Sequence, residues 1–172
     1  VQGFVPFASE WLERSLPARF EDQVARYPDC IALKVGKQAL TYRELNHCAN
    51  RLAHALLQES ATTAAPITVL LADQIFSIVA LLAILKSGNC SVFVDPTKPR
   101  REIAAILNDT QATCMVTDQA HWALADAVAA HAEQPCQLLQ IDTDHSHFPT
   151  ANLERVIPAE SYAQIVYTSG ST

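Results

Sequence analysis

Residues 67–94 read ITVLLADQIFSIVALLAILKSGNCSVFV, and their pattern decides the fold. Ile67 to Ala72 is a strand-length run of apolar and β-branched residues. Ile75 to Lys86 then carries an apolar block too long for one strand, which predicts a buried helix. Gly88 stands where a helix end turns left-handed, and Ser91 to Val94 is a second short apolar run. Strand, helix and strand in that order make a βαβ unit, because a helical crossover is what joins parallel neighbours.

Downstream the alternation continues. Pro99 stands where the next helix begins, and Arg100 to Asn108 is that helix. Cys114 to Thr117 reads as a strand, Gln119 to His131 as a helix, and Gln137 to Ile141 and Ala163 to Tyr167 as two further strands. Such a series predicts an α/β fold, a doubly wound and mostly parallel sheet with flanking helices. Thr143 to Ala159, rich in Pro, Asp, His and Asn, is the least structured stretch.

Upstream, Pro17 precedes a short amphipathic helix over Ala18 to Arg26. Ile31 to Val35, a turn at Gly36 and Lys37, and Ala39 to Thr41 form a hairpin. Thr41 and Glu44 make a capping box, in which the hydroxyl accepts from the Glu44 N–H and the carboxylate reaches back. Leu45, Cys48, Ala49, Leu52 and Leu56 then recur at helical spacing, with Arg43, Asn46, Asn50 and Arg51 assigned to the opposite face. Residues 1–19 are expected to be a linker or docking strap and 20–172 the folded unit.

Composition bounds the function. The 172 residues are 49% hydrophobic and 17% charged, with a formal net charge of −6. An acidic chain without a basic stripe is a poor partner for nucleic acid. Its longest apolar run, Ile78 to Leu85, is far short of the roughly 20 residues that span a bilayer, so no membrane is expected. The first residues carry no signal-peptide pattern, and a cytoplasmic location follows as the expectation. Cys30, Cys48, Cys90, Cys114 and Cys136 lack any CxxC spacing and read as reduced thiols, mostly structural.

Several groups invite a chemical role and fail on spacing. Asp142, Asp144, His145 and His147 match no zinc or EF-hand template, so no metal site is assigned. His47 and His54 share a helical face without a third ligand. No GxSxG elbow is present, and no residue is assigned a catalytic role.

The last eight residues, Ile165-Val166-Tyr167-Thr168-Ser169-Gly170-Ser171-Thr172, run an apolar strand into hydroxyls around a glycine. Phosphate oxygens need several short donors converging on them. Ser and Thr hydroxyls with successive backbone N–H groups supply these, and Gly lets the backbone approach. Thr168, Ser169, Gly170, Ser171 and Thr172 are therefore candidates for binding phosphates.

Three stretches together carry a resemblance. Leu40-Thr41-Tyr42-Arg43-Glu44-Leu45 is similar to the first core motif of amino-acid adenylation domains of non-ribosomal peptide synthetases. Leu85-Lys86-Ser87-Gly88 through Val92-Phe93-Val94-Asp95-Pro96 resembles the second, and Tyr167 to Thr172 the start of the third. They occur in family order and at family-like separations from about Phe20 to Thr172. Two places depart from the pattern: Asn89-Cys90-Ser91, where small and aromatic residues are usual, and Ala64-Ala65-Pro66, where a Gly/Asp turn is usual.

The resemblance implies the N-terminal subdomain of the adenylate-forming fold, ending within the phosphate loop. An intact domain of this kind condenses an amino acid with ATP, using Mg²⁺, into an aminoacyl-adenylate and passes the acyl group to a carrier protein's phosphopantetheine thiol. The expected partners are the remainder of that domain or neighbouring synthetase domains, with self-association possible through an exposed sheet edge. Because the loop lysine, adenine pocket, Mg²⁺ ligands and catalytic lysine fall outside these residues by resemblance, the chain alone is expected to be inactive and to bind neither ATP nor Mg²⁺ tightly. Two other readings stay open: a non-catalytic adenylation-like docking module, and a fragment of an acyl- or aryl-CoA ligase, which matches the first two motifs less well.

Overall fold

The computed structural model describes residues 12–59 and 64–168. Helix α1, Leu16–Arg26, starts earlier than the sequence predicts, because the Ser15 hydroxyl caps it by accepting from Ala18 N at 3.4 Å. The predicted hairpin forms from β1, Ile31–Val35, and β2, Gln38–Thr41, with antiparallel pairing. The capping box forms as read: Thr41 N–H donates to Glu44 Oε2 at 2.8 Å and Glu44 N–H to Thr41 Oγ1 at 3.2 Å. Helix α2 accordingly runs over Tyr42–Glu59.

The main sheet contains β3 (Pro66–Leu70), β4 (Cys90–Phe93), β5 (Cys114–Thr117), β6 (Gln137–Gln140) and β7 (Gln164–Ile165). Every pairing in it is parallel, in the spatial order β6-β5-β3-β4-β7. Helices α3 (Gln74–Lys86), α4 (Arg100–Thr110) and α5 (Trp122–Ala129) make the crossovers. Since β4 and β5 flank β3 on opposite sides, the winding reverses at β3. Right-handed crossovers then put α3 on one face and α4 and α5 on the other.

The two cores show this division. Ile67 and Val69 of β3 and Cys114 and Val116 of β5 pack with α2 and α3. Leu70 and Met115, the alternate residues of the same strands, pack with α4, α5 and Val92 of β4. Strands covered on both faces explain the continuous apolar runs that mark them in the sequence.

Three expectations about individual elements need correction. Asn46 and Asn50, assigned to the open face of α2, are buried, while Cys48, assigned to the apolar face, is exposed. The reason is the segment after β6, whose Thr150 and Asn152 cover that side of α2 and supply hydrogen bonds that apolar periodicity does not encode. Helix α5 is shorter than Gln119 to His131, since Asp118 binds the His121 N–H and holds the preceding residues in a turn. Strand β7 pairs over two residues rather than five.

Gly88 takes φ +81, as its place after α3 requires, and a Cβ there would stand 3.2 Å from Ile157 Cδ1. The unusual residues beside it are used structurally. Asn89 Oδ1 accepts from Ala65 N–H at 3.1 Å, and Ser91 Oγ donates to Ala163 O at 3.2 Å. They join the turn before β3 and the segment before β7 to the start of β4.

Candidate functional site at the carboxyl edge of the sheet

In a doubly wound sheet the crevice beyond the strands' carboxyl ends, where the winding reverses, is the place that backbone and loops leave open for a ligand. Here that edge is formed by the residues that follow β3, β4, β5, β6 and β7. An aspartate stands close behind four of them, and each is engaged locally. Asp73 accepts from Phe76 N–H at 2.9 Å and caps α3. Asp95 accepts from the N–H and hydroxyl of Thr97, which hold its carboxyl below the usual range. Asp118 takes the ring nitrogen Nδ1 of His121 at 2.6 Å, and Asp142 accepts from Gln119 N–H and Gln140 Nε2. These carboxylates shape loops; no three of them with His or Cys form a metal-binding group among the described residues.

The Asp142 to His147 stretch follows the same rule. Asp144 accepts from Ser146 N–H at 2.8 Å, and His145 Nε2 lies 2.8 Å from Gln140 O. His54 contacts Ala151 O through Nε2 at 3.4 Å.

The candidate phosphate residues leave from the end of β7. Gln164 and Ile165 pair with Ser91 and Val92, and Thr168 follows three residues after this pairing ends. Tyr167 fixes the exit: its hydroxyl donates to Asp109 Oδ2 on α4. Desolvation, reinforced by that carboxylate, pushes the phenol up to about 12. Thr168 is exposed at the edge. Ser169, Gly170, Ser171 and Thr172 lie outside the described residues. Two of the cations that follow β4 are engaged elsewhere, Lys98 with Glu102 and Arg100 with His131.

Sequence reading missed the Tyr167–Asp109 tie and the Asp73 cap. The first joins residues 58 apart and leaves no local trace. The second was legible, since Asp directly before a helical apolar block is a standard N-cap signal.

The chain has counterparts among known proteins. The family model described as "AMP-binding enzyme" matches residues 20–172. The chain belongs to the AMP-binding enzyme family.

Among members of that family, the chain is 34% identical over 161 residues to tyrocidine synthase 2 of Brevibacillus parabrevis, covering 93% of this chain and 4% of that protein. It is also 36% identical over 161 residues to bacitracin synthase 1 of Bacillus licheniformis, covering 92% and 3%. The chain thus spans a small part of the curated relatives it matches. In structure it resembles the non-ribosomal peptide synthetase FmoA3 in its alpha-methyl-L-serine-AMP bound form, with a TM-score of 0.81 and 25% identity over 92% of this chain and 17% of that one. The anthranilate CoA ligase AuaEII in complex with anthranoyl-AMP shares the fold, with a TM-score of 0.83 at 18% identity, over 92% of this chain and 32% of that one. The sheet and helices described above are therefore the N-terminal part of the adenylate-forming fold.

Proposed function

We propose that these residues are the N-terminal portion of an ATP-dependent amino-acid-adenylating domain of non-ribosomal peptide synthesis, in which Thr168 to Thr172 donate to the phosphates of ATP. The observation that carries the reading is the exit of an exposed Thr168 from β7, beside β4 at the carboxyl edge of the sheet, in a chain whose family is AMP-binding. The donor set fits a phosphate. Hydroxyls and backbone amides held ready around a phosphate neutralise charge as pyrophosphate leaves, without reorganising during the reaction.

Mg²⁺ does not fit the described residues in the same way. The aspartates at the edge are occupied by loop donors, so no step is assigned to a metal held by them. In the same reading the partners are the rest of the adenylating domain, neighbouring synthetase domains and a phosphopantetheine-bearing carrier protein, and the location is cytoplasmic. Among the described residues no helix is long and apolar enough to cross a membrane. Tyr162 and Val166 are exposed beside β7 in the chain and offer an apolar edge for a partner or for self-association.

The test is amino-acid-dependent exchange of labelled pyrophosphate into ATP by the polypeptide that carries this segment. Thr168→Ala and Ser169→Ala are each expected to lower exchange by about 10²–10³, the cost of one preorganised donor. The 172 residues alone are expected to be silent. Exchange driven by aryl acids and not amino acids replaces this reading with a CoA ligase, the alternative that shares the fold. No exchange with any acid favours a non-catalytic docking module.

A further inference from the structure

A cleft lies between α2, the first turns of α3 and the segment after β6. Its volume is about 330 Å³, within the range of roughly 300–1,000 Å³ found for small-molecule pockets. Leu52, Phe76, Val79 and Ile141 give it an apolar lining, and Arg51 and Asp144 bring a charge of each sign. Arg51 Nε is buried and has no hydrogen-bond partner. Arg51 lines the cleft, and a guanidinium presents its donors in a planar fork that matches a carboxylate.

We propose that this cleft binds a small apolar acid, with its carboxylate on Arg51 and its hydrocarbon body on Leu52, Phe76, Val79 and Ile141. The other titratable groups that line the cleft are Cys48, Asp144 and His145. His145 is held through Nε2 at Gln140 O, and Asp144 by Ser146 N–H. The Ser146 hydrogen bonds, with a lesser contribution from Arg51, hold the Asp144 carboxyl below its usual range, and among the described residues Arg51 and Asp144 form no ion pair, so the guanidinium keeps its capacity for a ligand. Asp144 also provides a place for an ammonium beside the bound carboxylate. The same pocket chemistry thus accepts a free amino acid or its deaminated counterpart, and the experiment separates them. None of these residues belongs to the Thr168 to Thr172 run, so this site stands or falls independently of adenylation.

The test uses the chain with L-leucine and 4-methylpentanoate as probes, read by amide NMR shifts and by protection of Cys48 from alkylation. Binding with a Kd on the order of 1 mM or tighter is expected, shifting Arg51 and residues 143–146 and slowing Cys48 alkylation. Arg51→Gln is expected to weaken binding at least tenfold and Arg51→Lys less, with both variants checked for an unchanged melting transition. Preference for leucine assigns a role to Asp144, which Asp144→Asn then abolishes; preference for the simple acid limits the site to Arg51 and the apolar lining. Should Arg51→Gln prove unfolded, Cys48 protection in the unmodified chain still decides. No shift and no protection with either probe, or undiminished binding by a folded Arg51→Gln, overturns the proposal.

Discussion

The side-chain oxygen of Asn152 accepts from Asn50 Nδ2 at 2.9 Å, joining α2 to a segment 102 residues away. The same oxygen accepts from Asn46 Nδ2 at 2.8 Å, and Asn50 Nδ2 also donates to Thr150 O at 2.7 Å. Asn46 and Asn50 are both buried, so removing the Asn152 oxygen takes this acceptor from the Asn46 amide and leaves Asn50 Nδ2 with Thr150 O alone. Asn152→Ala is expected to destabilise the chain by about 1–3 kcal/mol and to open residues 143–159 to proteolysis. A protease pattern and urea midpoint identical to the parent's would refute this clamp.

Thr41→Ala removes the hydroxyl that caps α2 and is expected to cost about 0.5–2 kcal/mol. Glu44 adds a pH dependence. Its hydrogen bonds to Thr41 hold its carboxyl below the ordinary 4.5, so its contribution is present above that value and is lost as pH falls through the lower, folded one. Thermal melts at pH 7 and pH 3 check both, and the loss from Thr41→Ala should be smaller at pH 3.

Lys86 is buried in the last turn of α3, paired with Glu21 of α1 and 5.9 Å from the centroid of the Phe20 ring. Burial lowers its pKa, and Glu21 works against that shift. Removing one partner of such a pair strands the other's charge. Glu21→Gln should therefore cost more than Lys86→Met, by about 1–3 kcal/mol, a figure kept below the fully buried case because Glu21 retains contact with water. Equal midpoints for the two variants would show that the pair is solvated.

Burial raises the Cys114 thiol from 9.0 to about 12 and that of Cys136 to about 11. In the window between the ordinary and raised values the folded chain keeps protons that the unfolded chain has released. This contribution is complete below about pH 9 and is lost as pH climbs toward the folded values. Lys86 acts in the opposite sense, since its lowered pKa makes the unfolded chain the better proton binder below 10.5. The sign is therefore read by comparison: between pH 9 and 11 the denaturation midpoint of Cys114→Ala should fall less steeply than that of the unaltered chain. Parallel slopes would remove Cys114 as the source.

Ala64 holds φ +59, a left-handed conformation, in the turn where the sequence departs from Gly or Asp. Such backbone costs an L-residue roughly 1–2 kcal/mol and glycine little, though glycine loses about 0.5–1 kcal/mol in chain entropy. Ala64→Gly is expected to raise stability slightly, by about 0.5 kcal/mol, on a denaturant curve. A clear loss would show that the turn relaxes in solution.

The centre of the sheet was legible because β3, β4 and β5 are covered on both faces and each crossover helix is punctuated by Gly88, Pro99 or an apolar block of helical length. What escaped was polar and long-range. Asn46 and Asn50 look like surface residues until a segment 100 positions away supplies their partners. Cys48 looks like core because it shares spacing with Leu45 and Leu52. At the candidate site, residue types suggested phosphate chemistry, but the Tyr167–Asp109 tie just after β7 appears only when α4 and β7 are placed side by side.

The spatial order of the sheet also sets a timetable. Strand β4 meets β3 soon after synthesis, yet its other edge stays unpaired until Gln164 and Ile165 arrive. At roughly 5–20 residues per second on the ribosome, that slot stays open for on the order of several seconds. Nascent chains are then most exposed to mispairing along Ser91 and Val92. Slower translation between β6 and β7 would prolong this exposure and lower the soluble yield, with no change in the finished protein.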